Sequence, residues 1–153
     1  MRKKEREMAD RRDIDEVLRS HKVCRMAMCD GDDPYVLPLS YGYDGASLFI
    51  HCAREGRKLD VLRRNSKVCF VVDGDHAFVP ADQVCRRPMR YRCVVGTGVA
   101  TILDSMEEKI GALKVLMDHQ YGPGDWSFDP DVVAKTLAIR VEIKEMTGKR
   151  SGF

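Results

Sequence analysis

The sequence predicts a mainly β domain with peripheral α-helices, a small antiparallel barrel of about six strands with three helices at its ends. Three observations carry this. Asp44-Gly45 between two apolar runs is a strong hairpin signal. The stretch Y-R-C-V-V-G-T-G-V-A-T-I-L from Tyr91 to Leu103 is rich in β-branched residues and too long to stay flat, and Gly96 and Gly98 permit it to curl. T-L-A-I-R-V-E-I-K from Thr136 alternates cleanly, as a strand with one wet face does.

In chain order, residues 1–12 are nearly all charged and show no apolar face, which predicts a disordered N-terminal arm. Asp13 reads as an N-cap with Glu16 three residues on, and Ile14, Val17 and Leu18 give one apolar face to a helix ending near Ser20. K-V-C-R-M-A-M-C is a strand stopped by the turn Asp30-Gly31-Asp32-Asp33. In P-Y-V-L-P-L-S-Y-G-Y, Pro38 cannot donate to a ladder and belongs at an edge, a bulge or an opening of the sheet. A-S-L-F-I-H-C then completes a three-stranded meander.

Leu59, Val61 and Leu62 mark a helix ending near Asn65, and K-V-C-F-V-V-D reads as a central strand. Residues 74–88 predict a long connection or lid. Ser105 and Glu108 form a capping box for a helix whose apolar positions are Ile110, Leu113, Leu116 and Met117, stopped by Gly122-Pro123-Gly124. Trp126 and Phe128 follow in a loop, as a lid over the core or as a ligand or dimer contact. Thr147-Gly148-Lys149 ends the predicted order, so residues 13–149 make the domain and 150–153 a C-terminal tail.

A chain of 153 residues with 44% hydrophobic and 33% charged residues fits one soluble domain. A formal net charge of +2 argues against nucleic acid as a partner, so any basic function must be local. The six cysteines form no C-x-x-C pair and the N-terminus has no apolar signal core, which reads as reduced, largely buried thiols in a cytoplasm. No apolar run approaches the length of a membrane span.

Protein-only catalysis finds no support. There is no G-x-S-x-G, H-E-x-x-H or Walker loop, the four histidines have no metal-ligand spacing, and G-T-G-V-A lies within a strand rather than opening a helix. The informative stretch is I-H-C-A-R-E-G-R-K-L-D-V-L-R-R, Ile50 to Arg64: an apolar run, a turn on Gly56, and a helix that opens on Arg57 and Lys58. Free N–H groups in a helix's first turn and the positive end of its dipole attract an anion, and two cationic side chains strengthen that. The bland reading is a solvated basic helix start. A second basic cluster, Arg86 to Arg92, reads plainly as an edge strand defended by charge. Together with the proline-interrupted strand, these features suit a phosphorylated, planar cofactor that carries the chemistry itself.

In order along the chain, P-Y-V-L-P-L-S-Y-G-Y, L-F-I-H-C-A-R-E-G-R-K-L-D-V-L, V-C-F-V-V, Y-R-C-V-V-G-T-G and E-M-T-G-K resemble the successive motifs of the FMN-binding split-barrel superfamily. Within it they look most like the pyridoxamine 5'-phosphate oxidase-related branch that contains the nitroimidazole-resistance proteins. The resemblance implies a six-stranded antiparallel split β-barrel, and a homodimer binding two FMN molecules at the subunit interface. By analogy the main chain of Pro38, Leu39, Ser40 and Tyr41 faces the isoalloxazine, and His51, Cys52 and Ala53 lie along the flavin. Lys58, Arg57 and the helix start at Gly56 would hold the phosphate, and Tyr91 and Arg92 would reach across from the partner subunit. Cys93 stands where the resemblance leads one to expect serine, and a thiol is a weaker hydrogen-bond partner for the cofactor.

The function so implied is an FMN-dependent oxidoreductase passing electrons from a reduced donor, NAD(P)H among the candidates, to a small organic acceptor such as a nitroaromatic. His51 is the candidate proton donor, because imidazoles titrate near neutrality. The alternatives are a non-catalytic FMN-binding or sensing module, a pyridoxamine-phosphate-oxidase-like activity, and a split barrel that takes haem or another cofactor.

Overall fold

The computed structural model describes residues 4–83 and 88–153. A 3-10 turn at Lys4–Arg6 leads into β1 (Glu7–Met8) and α1 (Arg11–Ser20), followed by β2 (Val23–Asp30), β3 (Asp33–Ser40), β4 (Gly42–Tyr43) and β5 (Ser47–Ala53). Then come α2 (Arg57–Arg64), β6 (Lys67–Phe78), β7 (Met89–Leu103), α3 (Met106–Tyr121), α4 (Pro130–Ala134) and β8 (Thr136–Ser151). The strands lie side by side in the order β3-β2-β6-β7-β8-β5-β4, and β1 pairs with β8. Among the described residues every pairing is antiparallel, and none joins β3 to β4. The result is a split β-barrel. Its six long strands are those the sequence predicts, and β1 and β4 are two-residue additions.

Alternation along the strands sorts the side chains. Cys24, Met26 and Met28 of β2, Val68, Phe70 and Val72 of β6, Leu48 and Ile50 of β5 and Ile139 and Val141 of β8 fill one core with Leu59, Val61 and Leu62 of α2. β7 curls as its glycines predict: its register against β8 shifts between Thr97 and Gly98, and a Cβ on Gly96 would lie 2.3 Å from the Phe70 ring. On the other face, Phe49, Leu103, Ala112 and Ala138 make a second cluster under α3. Among the described residues, no helix covers the rest of that outer face, over β3, β2, β6 and the first half of β7. There Val36 is 60% exposed, Val23 43% and Val95 41%.

Several expectations are corrected. The charged arm is not a disordered tail throughout: Glu7 and Met8 pair with Lys149 and Gly148, and Met8 is buried. The N-cap of α1 is Asp10, whose carboxylate accepts from Arg12 N, and Asp13 falls in the first turn. The three-strand meander does not form, because β5 pairs with β4 and β8 while β3 sits at the opposite edge. Pro38 is on that edge strand, where its missing donor costs nothing. The basic stretch is an edge only at its start: Met89 and Arg90 pair with β6 alone, whereas Tyr91 pairs with Ser151 and Arg92 with both Gly74 and Arg150, at the end of β8. Strand β8 therefore runs past Lys149, and β6 extends into the predicted loop as far as Phe78. Arg86, Arg87 and Cys85 lie outside the described residues. Of the described cysteines only Cys24 is buried, and burial pushes its thiol up to about 12. On α3, Ile110 is exposed and Lys109 is buried in its place. Among the described residues, no helix is long and apolar enough to cross a membrane.

α3 is tied back to the barrel by His119, whose Nε2 lies 2.7 Å from His21 O and whose ring sits 4.8 Å from Tyr41. Burial, aided by the charges of Lys22 and Arg19, holds its pKa below the ordinary 6.5, against the hydrogen bond to His21. The unfolded chain thus takes up this proton more readily. His119 contributes stability that is complete above the ordinary value and is lost as pH falls through it towards the folded value. We expect the urea midpoint to fall between about pH 7.5 and pH 5.5, and the fall to shrink in His119→Gln, as equilibrium unfolding at the two pH values would show.

Candidate functional site

The predicted residues fall into two groups. The first surrounds the start of α2. His51, Cys52 and Ala53 end β5, paired with Ala138, Leu137 and Thr136 of β8. Ile50 and Cys52 turn to the core, so His51 points outward and is exposed. A three-residue loop follows and ends at Gly56, the N-cap of α2, whose φ of 129° is strained for any side chain although the space around it is open. The N–H groups of Leu59 and Asp60 return to Gly56 O at 2.9 and 3.3 Å, which leaves those of Arg57 and Lys58 without an intrahelical acceptor.

Lys58 is half-buried, and its charge opposes the effect of burial on both the Cys52 and Cys24 thiols. Leu39 of β3 pairs with Cys24 and packs on the core, while Pro38 and Ser40 are exposed. Pro38 lies opposite Arg25 of β2, on the side of the sheet that also bears Tyr91 and Cys93, rather than at the start of α2. Arg57 is committed elsewhere: its Nε lies 3.0 Å from Asp30 Oδ2 and its guanidinium stacks 4.6 Å from the Tyr35 ring. Arg64 reaches the same carboxylate, and the two guanidiniums hold Asp30 below the usual carboxylate range. Arg57 would have to leave Asp30 to serve an anion at this helix start, and Lys58 has no such carboxylate to leave among the described residues.

Tyr41 belongs to the core. Its hydroxyl donates to Leu18 O at 2.6 Å, its N–H to Lys22 O at 3.4 Å, and its carbonyl accepts from Gln120 Nε2 at 2.8 Å. Burial raises its pKa well above the ordinary 10.0. Removing the hydroxyl in Tyr41→Phe should cost about 1–2 kcal/mol by orphaning the Leu18 carbonyl, measurable as a lower urea midpoint.

The second group lies on β7. Tyr91 and Cys93 point to the helix-free outer face, where they line a cavity of about 540 Å³ with Arg25, Val36, Val71 and His76. Burial and the nearby Asp73 raise the Cys93 thiol pKa, which disfavours the thiolate. Arg92 turns the other way and is held by Glu16 at 2.6 Å and Asp75 at 2.5 Å. One chain brings Pro38 of β3 near Tyr91 and Cys93 but does not bring His51 to them. His51 lies opposite Ala138 and Tyr91 opposite Ser151, so they are separated along β8 by about 40 Å of strand at the usual rise.

Two features were missed in the sequence. A cavity of about 300 Å³ adjoins His51, walled mainly by Leu113, Met117, Phe128, Val132 and Val133. Its α4 wall carried a readable signal, Asp129 as N-cap followed by Pro130 at the first helical position. The other is an ion pair of Arg54 with Asp104, far apart in sequence and without local signature. Trp126 is fixed by a 2.7 Å bond from its Nε1 to Asp118.

The family model described as pyridoxamine 5'-phosphate oxidase matches residues 10–150. An uncharacterised protein of Rhizobium meliloti is 29% identical over 142 residues, covering 87% of each chain. Among solved structures, a candidate 5-nitroimidazole antibiotic resistance protein from Bacteroides thetaiotaomicron is 30% identical with a TM-score of 0.84, over 94% of this chain and 86% of that one. An FAD- and haem-binding protein from Mycobacterium smegmatis is 21% identical with a TM-score of 0.85, over 97% and 74%.

Proposed function

Because this chain belongs to the pyridoxamine 5'-phosphate oxidase family, we propose that it is an FMN-dependent oxidoreductase, working as a homodimer with a flavin at each of two shared sites. The separation of the two residue groups along β8 is the observation that carries this reading. Each becomes useful only if a second copy brings its Tyr91 and Cys93 to the first copy's α2. The uncovered apolar face bearing Val23, Val36 and Val95 supplies the surface on which that copy would sit.

The residues fit the group. Lys58 and the N–H groups of Arg57 and Lys58 offer a phosphate one ammonium and two main-chain donors at the positive end of a helix. His51 to Ala53 and the free edge of β3 at Pro38 to Ser40 offer a ring main-chain groups and one imidazole. When bound, FMN supplies reversible hydride and electron transfer. The chain's own part is to clamp the phosphate, cover one ring face, exclude water with the partner's outer face, and hold a proton on His51 for a small acceptor. The 30% identical Bacteroides protein makes a nitroheterocycle the acceptor to try first. FAD, named for the Mycobacterium protein, is the competing cofactor.

The test is the absorption spectrum and solution mass of the purified protein, followed by anaerobic mixing with NADH or NADPH. Flavin bands, twice the 17.4 kDa chain mass and rapid bleaching support the proposal. A flavin that bleaches slowly with every donor marks a binding or sensing module instead. A colourless monomer sinks both.

A further inference from the structure

The loop that joins β5 to α2 is three residues long, Arg54, Glu55 and Gly56, and its first side chain is turned away from the helix start. Arg54 grips Asp104 with both arms, Nη1 to Oδ1 and Nη2 to Oδ2, each at 2.8 Å. Nη1 also donates to Ala134 O at 3.1 Å and Thr136 O at 3.3 Å. Asp104 stands between the end of β7 and Ser105, the N-cap of α3; Ala134 ends α4 and Thr136 begins β8. One guanidinium thus ties four segments to the loop. Behind it, Lys109 has a side chain only 4% exposed, with Nζ 3.7 Å from Asp104 Oδ1 and 3.3 Å from Thr136 O. A buried lysine in that position keeps Asp104 and the Thr136 carbonyl in place from the α3 side.

We infer that Arg54 is a positioning residue for the phosphate end of the flavin site, setting the loop geometry that aims the first-turn N–H groups of α2, and that its fork on Asp104 is what it acts through. This rests on the phosphate reading above. The physical reason is the shortness of the loop. With Ala53 fixed opposite Thr136 in the sheet and Arg54 fixed on Asp104, only Glu55 and Gly56 remain to turn the chain, and Gly56 takes a positive φ to do so. The planar two-pronged contact makes the assignment specific to arginine, because lysine keeps the charge and loses the fork.

The distinguishing readout is the ratio of FMN to riboflavin affinity, since riboflavin presents the same ring without the phosphate. Titrations of flavin-stripped protein should show FMN binding about tenfold weaker in Arg54→Gln, with riboflavin binding changed less than about twofold. Arg54→Lys should lose as much, Asp104→Asn should match both, and the Arg54→Gln/Asp104→Asn pair should add nothing further. An unchanged FMN-to-riboflavin ratio in Arg54→Gln, or an equal loss of both ligands, overturns the inference. Lys58→Ala separates the two levels: a ratio that falls there and holds in Arg54→Gln rejects the positioning role alone. A ratio that holds in both rejects the phosphate assignment as well.

Discussion

Replacing Lys58 by alanine is expected to weaken FMN binding by roughly tenfold to a hundredfold and leave the fold in place. Lys58 lies in the first turn of α2 and has no carboxylate partner among the described residues, whereas Arg57 and Arg64 share Asp30 and Arg63 pairs with Asp60. A hydrogen bond between charged groups is worth about 1.5–3 kcal/mol, and each 1.4 kcal/mol is about a factor of ten. Arg57→Ala should cost less, because it first breaks a bond to Asp30. Flavin content as purified and an FMN titration check this, with circular dichroism as the control. Unchanged occupancy in Lys58→Ala places the phosphate elsewhere.

The second large effect is expected from Val95→Glu. Val95 sits on the outer face of β7 opposite Val71, within the uncovered apolar area. A glutamate there is harmless to a lone barrel, whose outer face is already wet. Buried against a second copy, an unpaired carboxylate costs several kcal/mol per subunit, enough to dissociate an ordinary interface. Light scattering should report the mass of a monomer, and flavin should be lost with the partner's Tyr91 and Cys93. A variant that remains a flavin-loaded dimer would move the interface off this face.

What the sequence made legible is mostly local. The start of α2 was readable because a glycine N-cap, two cations and three spaced apolar residues all lie within eight positions. The capping box of α3 was readable for the same reason, and Ser105 Oγ does meet Glu108 Oε2 at 2.6 Å. Local grammar failed where two answers were equally grammatical: Asp10 and Asp13 both precede Ile14, and the carboxylate that reaches a free N–H is the earlier one. It failed again on α3, where apolarity pointed to Ile110 and the structure buries Lys109, since Asp104 and Thr136 O wait for its amine. The missing meander has another cause: it depends on which strand lies beside which, and the neighbour of β5 is β8, beyond the reach of local pattern. The candidate site inherits this division: the α2 half could be read from one stretch, and the Tyr91 half only from the family resemblance.

That final strand also governs when the protein can exist. Strand β8 pairs with β1, β5 and β7, so the N-terminal arm, the strand carrying His51 and the strand carrying Tyr91 each wait for partners encoded after residue 135. A nascent chain that has emerged only as far as α3 holds β5 and the valine-rich β7 with open edges and nothing to close them. Folding is therefore committed only once the residues from Thr136 onward have emerged. A stalled ribosome or a stop codon ahead of Thr136 would release a sticky fragment rather than a smaller flavoprotein.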